Sequence, residues 1–430
     1  MYPDPLHPDQ MNAQLPDRRL VIVVRADPVI CGHSGEARNL AEAALMRGFD
    51  DVRIITWPLE TLGALPLKPL ESVLAYSPGI VVERPAGVGD YKVPDGRFTA
   101  GMVGRLVELF SDDVPTVCVS LYLTPHANVV MEAMEVCRAI GRASTVTTIA
   151  EAVGSDITNV VRTCVGEGRF GAAAHVFTSY LGHDRCVAVS VYTKECIVAA
   201  ADEVDAHFGT TFGPQCRERV TISYPAIDCG PDEPEDITVH VSLARRGLER
   251  DGYVLFLSRV TREKGVDDLI DGFARSAASE HVRLVIAGTG PALPQMRERA
   301  AHSPVAHRIE FLDDVDDAEK WMLMAGCAAF VLPSKPMPEF VETFGITLVE
   351  KMLAGGGPII TTATGGIPEA VGDTATIIPI SSPDAVADAI DEIVLGISRE
   401  ERRARSDKAR AHAMQFDRLN IFDRLVPNAS

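Results

Sequence analysis

The sequence predicts an α/β protein built from two doubly wound, Rossmann-like domains. Three observations predict it. Short apolar, β-rich runs recur along the 430 residues, and most are followed by a stretch of helical periodicity. These runs are apolar at nearly every position instead of alternate ones, as expected for strands of a parallel sheet covered on both faces. The series is interrupted at PAIDCGPDEPED (225–236), a proline- and acid-rich stretch after a strand, with the composition of a linker. At roughly 150 residues per domain, the length allows two or three domains.

In the first half, RLVIVVRA (19–26) reads as a strand. The glycine-bearing loop DPVICGHSGEARNL follows, then a helix with Leu40, Ala41, Ala44 and Leu45 on one face. VRIITW (52–57), GIVVER (79–84), PTVCVSLY (115–122), RCVAVS (185–190) and RVTISYP (219–225) continue the series, and the region 130–185 is the hardest to divide. The polar, proline-bearing start is expected to be a flexible segment over residues 1–18.

The second half alternates more regularly. YVLFLS (253–258) precedes a helix over 264–278, VRLVIAG (282–288) one over 291–300, and IEFL (309–312) one over 316–325. AAFVLP (328–333) precedes a helix from about 344; PIITT (358–362) and ATIIP (375–379) complete the strands. Val386, Ala389, Ile390, Ile393, Val394 and Ile397 mark one face of a last domain helix, with Pro383 and Asp384 at its start. The tail is charged and then carries Met414, Phe416, Leu419, Ile421, Phe422 and Leu425, which must dock somewhere.

Composition narrows the partners. A net charge of −19 argues against nucleic acid or an anionic membrane surface, since both need basic stripes. The nine cysteines form no C-x-x-C pair and read as buried free thiols in a reducing compartment. The start lacks the apolar core of a signal peptide, and no apolar run reaches the roughly 18–20 residues that span a bilayer. The expectation is a soluble cytoplasmic protein that takes small molecules, without nucleic acid or stable membrane insertion, and a homodimer stays open.

The chemistry concentrates at strand ends. VETFGITLVEKMLAGGGPIITTATGGIPEAV (341–371) places Glu342 at a helix start and Glu350 two turns into that helix. Amides at a helix N-terminus favour an anion such as a phosphate. Read blandly, the two acids are a helix-start residue and a surface glutamate. GGIPEAV (365–371) is a tight turn that lets backbone approach a ligand, and Glu369 either bonds that ligand or caps the next helix. Arg259 and Lys264 follow the strand end at 253–258 and suit a diphosphate, unless they are plain surface cations. GTGP (288–291) follows the next strand in the same way. In the first half, Gly32 and Gly35 open a helix whose N-terminus can admit an anion, although GHSG is not a dinucleotide fingerprint.

Taken in order, these motifs resemble the donor domain of retaining nucleotide-sugar glycosyltransferases of the GT-B fold, glycosyltransferase family 4. The matching residues are Arg259, Lys264 and Gly265; GTGP with Gly288 and Gly290; Glu342 and Glu350 with Phe344 and Gly345; and GGIPE at 365–369. The likeness is good over about 245–400. HSGEARNLAEAA (33–44) and VERPAGVGDYK (82–92) look like the sucrose-phosphate synthase branch. The resemblance implies two domains facing across a cleft, with acceptor binding in 19–228 and nucleotide-sugar binding in 229–405. It implies that 406–430 is a helix crossing back to the first domain. It implies that Glu350 binds the donor ribose and Glu342 faces the transferred sugar. The amides of Phe344, Gly345, Ile346 and Thr347 would hold sugar hydroxyls and phosphate. Arg259 and Lys264 would neutralise the diphosphate, and Leu312 and Asp313 would border the base. No cofactor or metal is implied: DVD (314–316) reads as helix-start acids.

The pattern departs at one place. The family's first-domain histidine has no counterpart in TVTTIAEAVGSD (145–156), which carries Ala150 and Glu151. His33, His126 and His183 are the alternatives, and His126 is chosen as the catalytic candidate because it follows a strand end. The expectation is a metal-independent hexosyltransferase that uses a nucleotide sugar, UDP-sugar favoured, and a small soluble acceptor. A GT-B UDP-sugar isomerase or hydrolase, and a sugar-nucleotide-binding protein with a degenerate acceptor site, are the competing readings.

Overall fold

The computed structural model describes residues 17–63, 67, 73–89, 94–142, 145–230, 233–338 and 340–426. Residues 1–16 of the expected flexible segment and residues 90–92 of the 82–92 stretch lie outside the described residues.

The first sheet holds β1 (Arg19–Val23), β2 (Asp51–Ile55), β3 (Ile80–Glu83), β4 (Thr116–Leu121), β5 (Val146–Ala152), β6 (Arg185–Ala188) and β7 (Val220–Ile222). The second holds β8 (Tyr253–Leu257), β9 (Arg283–Ala287), β10 (Ile309–Leu312), β11 (Ala329–Leu332), β12 (Ile359–Thr362) and β13 (Thr376–Ile378). Their orders are β3-β2-β1-β4-β5-β6-β7 and β10-β9-β8-β11-β12-β13, parallel throughout. The unbroken apolar runs are explained by burial: β1 and β11 are buried along their whole length, with helices over both faces. Each sheet reverses its order beside its first strand, at β1/β4 and at β8/β11. Open α/β sheets bind ligands outside the carboxyl ends of such strands.

Those two carboxyl edges meet. The hydroxyl of Thr343, after β11, donates to the carbonyl of Val153, after β5, at 3.2 Å. A Cβ on Gly154 would fall 2.2 Å from the Thr343 hydroxyl, and one on Gly32 would touch Ile346 at 3.0 Å. The Glu369 carboxylate accepts from the amides of Val191 and Tyr192 at 2.8 and 3.1 Å, at the N-terminus of helix Val191–Phe208. It also accepts from the Tyr224 hydroxyl at 3.3 Å. Glu369 therefore joins the domains, a role the turn motif did not suggest.

The tail makes the crossing. Helix Arg399–Ala413 lies on the second domain, where Arg410 donates to the Leu353 carbonyl. Phe416 then packs edge-on against Phe344 and Tyr224, with centroids 5.1 and 5.4 Å away. Helix Arg418–Leu425 lies on the first domain: Phe422 meets Phe49 edge-on at 5.7 Å, and Arg47 grips Asp423 through two bonds of 2.6 Å. Among the described residues, no helix is long and apolar enough to cross a membrane.

Candidate active site

The second-domain wall of the cleft is assembled around two glycines. Gly265 has φ 69°, and a Cβ there would sit 2.1 Å from the Pro333 carbonyl oxygen. The turn after β8 can therefore press onto the end of β11. That contact carries Lys264, 7% exposed, onto the carboxylate of Glu342, with which it forms an ion pair, and 5.5 Å from the Phe340 ring centroid. Lys335 steadies the same loop by bonding Asp267 and Asp268 at 2.8 and 2.9 Å. Arg259 is exposed, and its side chain has no partner among the described residues.

Gly345, with φ 102°, turns the chain into helix Ile346–Ala354. The N–H groups of the first helical turn have no intrahelical acceptor, so the Phe344–Thr347 backbone offers donors to the cleft beside the Lys264–Glu342 pair. The Phe344 side chain is buried in the core and contributes only its backbone. Glu350, one turn on, accepts from Lys320 at 2.8 Å. Burial would lower the Lys320 pKa, but the Glu350 carboxylate outweighs it and keeps the ammonium charged.

Three sets of the expected site residues are engaged within the protein itself. Gly288 (φ 131°) and Gly290 (φ 159°) lie against backbone: a Cβ would fall 2.1 Å from the Ser258 oxygen and 2.4 Å from the Val260 oxygen. Their glycine requirement comes from the β8 loop. The Leu312 side chain is buried, and its carbonyl accepts from the Gly288 amide at 2.8 Å; beside it, Asp313 is paired with Arg297 at 2.8 Å. His126 is 2% exposed; its Nε2 accepts from the Trp57 indole at 3.2 Å and its Nδ1 is buried without a partner. Burial first, then the charges of Arg25 and His33, push its pKa down to about 3. A ring that stays neutral at working pH is no general acid. His183 is also buried, on the Ser179 carbonyl. Asp316 of the DVD stretch caps helix Asp317–Gly326 through the Glu319 amide at 2.7 Å.

The first-domain wall gathers side chains that follow β1 and β4. Tyr122, just past β4, has φ 106°, an unusual conformation for a residue with a Cβ. Its ring lies 6.0 Å from His33 and 5.8 Å from His126, and Arg25, past β1, stands 5.8 Å from its centroid. Gly32 abuts Ile346, whereas Gly35 is exposed with open space around it. Cys31 precedes that helix. Burial would raise its thiol, but hydrogen bonds from His33 and Ser34 and the imidazolium charge bring it down to about 6.

Beneath this wall lies an acid pair absent from the sequence reading as a pair. Glu36 and Glu151 are 2% and 0% exposed, and neither Glu151 oxygen has a donor. Both carboxyls are held above the ordinary range, by burial first, and Glu151 also by the neighbouring Glu36. A raised acid stabilises the fold fully below its unfolded pKa of about 4.3 and loses that stability as pH rises through the folded value. Glu151→Gln should therefore raise stability at pH 8 by about 1–3 kcal/mol. The gain should vanish near pH 4; thermal unfolding at the two pH values checks it.

This two-sheet architecture, with a cleft between facing carboxyl edges, is the GT-B fold of glycosyltransferases. It matches Anabaena HepE bound to UDP-glucose with a TM-score of 0.67 at 17% identity, covering 95% of this chain and 98% of that one. It matches WaaG, a glycosyltransferase of lipopolysaccharide biosynthesis, with a TM-score of 0.63 at 16% identity, over 94% and 98% of the two chains. Residues 244–412 match the glycosyl transferases group 1 family, so the second domain carries a group 1 glycosyl transferase domain. D-inositol 3-phosphate glycosyltransferases are similar: that of Mycobacterium leprae is 30% identical over 217 residues, covering 48% of each chain. That of Kribbella flavida is 30% identical over 237 residues, covering 53% of this chain and 54% of the relative. The chain spans about half the length of the curated relatives it matches.

Proposed function

We propose that the protein is a retaining glycosyltransferase of the family 4 type, moving a hexosyl unit from a UDP-sugar to a hydroxyl of a small acceptor. The observation that carries this reading is the placement of Lys264, Glu342 and the first-turn amides of helix Ile346–Ala354 at one end of the cleft. Arg259 and Lys264 neutralise the departing diphosphate together with those amides, so no metal is needed for that charge. Glu342 faces the transferred sugar, and Glu350, held by Lys320, accepts from the ribose hydroxyls. Asp313 and the Leu312 backbone border the base. The bond from the anomeric carbon to the β-phosphate oxygen breaks. The acceptor oxygen bonds that carbon from the same face, and its proton passes to the departing phosphate oxygen. The first domain supplies the acceptor site. HepE, whose structures hold UDP-glucose, or UDP and glucose, supports UDP over GDP as the nucleotide.

The test is calorimetry with UDP, GDP and their common sugars, followed by nucleotide release with and without sugar and polyol acceptors. Selective binding of UDP compounds, with release accelerated by an acceptor, is expected. Fast release of UDP without an acceptor would favour the hydrolase or isomerase reading. Binding without turnover under any condition would favour a sugar-nucleotide-binding protein.

A further inference from the structure

We propose that Glu36 and Glu151 share one proton, and that this proton keeps the first domain fastened to the interdomain linker. Its loss in alkaline solution releases the linker and lowers turnover. Glu36 and Glu151 are positioning residues in this device, since they act through the linker and not on the substrate.

The first observation is a pair of acids without donors. Glu36 lies early in helix Gly32–Met46, and Glu151 lies near the end of β5, against it. Both are buried, and neither Glu151 oxygen has a donor. No lysine or arginine pairs with either acid among the described residues. Two touching carboxylates, out of water and without a cation, cannot both stay ionised. One proton between them removes the repulsion and supplies the missing hydrogen bond, and the two acids then titrate as a pair.

The groups that face the pair do not replace that proton. His33, one turn earlier on the same helix, is engaged with the Cys31 thiol. From the loop after β5, Asp156 repels Glu151, and its own oxygens take the amides of Leu123, Val153, Gly154 and Ile157. From helix Phe170–Leu181, Tyr180 is a buried neutral phenol whose hydroxyl donates to the Val187 carbonyl at 2.8 Å. Arg25, past β1, stands against the Tyr122 ring.

The second observation is where the pair sits. The Ala226 amide donates to a Glu36 oxygen at 3.2 Å, and Asn39, one turn on, donates to the Ala226 carbonyl at 2.9 Å. The next linker residue, Ile227, donates its amide to the Phe416 carbonyl at 3.0 Å and accepts from the Arg418 amide at 2.8 Å. The linker and the returning tail are thus tied side by side, and Glu36 and Asn39 hold them to the first domain. Glu151, in turn, lies two residues before Val153, whose carbonyl takes the Thr343 hydroxyl of the second domain. A change of charge in the pair therefore acts on two contacts between the domains.

When the proton leaves, two buried anions repel, and they gain hydration only if helix Gly32–Met46 shifts away from β5. That shift loosens the Ala226 bonds and moves Gly32 from its place against Ile346. Burial first, then the facing Glu36, hold Glu151 above the ordinary carboxyl range, so the fastening is complete in acid and is lost as pH rises through that raised value.

The test follows turnover and the hydrogen exchange of the Ala226 and Ile227 amides, corrected for intrinsic rates, from about pH 6 to about pH 9.5. The proteins are the wild type, Glu151→Gln, Glu36→Gln and His33→Gln. Glutamine keeps the shape of the acid, and its amide donates the hydrogen bond that the proton supplies. In the wild type, turnover and amide protection should each fall reversibly, by roughly tenfold or more, at about pH 8–9. Both should stay level in Glu151→Gln and Glu36→Gln. His33→Gln should keep the alkaline fall, which separates the pair from the histidine beside it. A fall that persists in the glutamine variants of the pair, or that is absent from His33→Gln, overturns the proposal. A level wild-type profile in either readout also overturns it. Only the turnover arm rests on the transferase reading; if no transfer is found, amide exchange decides by the same outcomes. Thermal unfolding identifies a variant that does not fold, and the other glutamine variant of the pair then decides.

Discussion

Lys264→Ala is expected to lower turnover by roughly two to three powers of ten, and Arg259→Ala by a similar factor. The two cations differ in setting. Arg259 is exposed and without a side-chain partner among the described residues, so its loss should leave thermal stability unchanged. Lys264 is 7% exposed and paired with Glu342, so its removal strands a shielded carboxylate. Breaking a buried pair from one side destabilises, whereas removing both partners together costs much less. Glu342→Ala alone should abolish transfer and retain nucleotide binding, because on the proposed reading the acid faces the sugar and not the nucleotide. The double variant Lys264→Ala/Glu342→Ala separates structure from chemistry. If the pair only holds the loop, the double variant regains stability and turnover together. If the pair acts on the reacting groups, stability returns and turnover stays low. UDP release, UDP titration and thermal unfolding on the four proteins distinguish these outcomes.

Most strands that sequence patterning found are carried by apolar runs, such as VIVV and LVIA. β5 was absent from that series for a physical reason. Its sequence VTTIAEA carries Thr148 and Glu151, and both are buried. Asp184 satisfies Thr148 at 2.9 Å, and Glu36 lies against Glu151. A strand whose polar residues find partners in space has no apolar signature in one dimension. The second-domain motifs were legible because each lies within a few residues of a strand end. His126 obeyed the same rule and misled: the turn that starts at Tyr122 carries its ring inward beneath Trp57. Glu369 looked like a ligand or cap residue, yet its carboxylate binds amides of the opposite domain.

Gly365→Ala is expected to lower turnover by roughly two powers of ten while the protein stays folded. The glycines after β12 were read as letting backbone approach a ligand. The contact they make is with the donor loop itself. The Gly366 amide donates to the Glu342 carbonyl at 2.9 Å. A Cβ on Gly365 would fall 1.9 Å from that same carbonyl oxygen, and one on Gly366 would fall 2.0 Å from the Thr343 oxygen. Gly365 also has φ 58°, which costs alanine about 1–2 kcal/mol without any clash. The fold cannot absorb the methyl on the far side, where helix Ile367–Val371 begins and Glu369 is tied to the other domain. The Glu342–Gly345 loop must move, and with it the Glu342 carboxylate, its ion pair with Lys264 and the Thr343 contact to Val153. A displacement of about 1 Å at a reacting centre is enough for a hundredfold loss. Turnover should therefore fall much more than the unfolding temperature, and UDP affinity should weaken only modestly because Glu350 and Arg259 lie outside the displaced loop. A Gly365→Ala protein with wild-type turnover would show that the loop's position does not govern the chemistry, and would remove Glu342 from its assigned role.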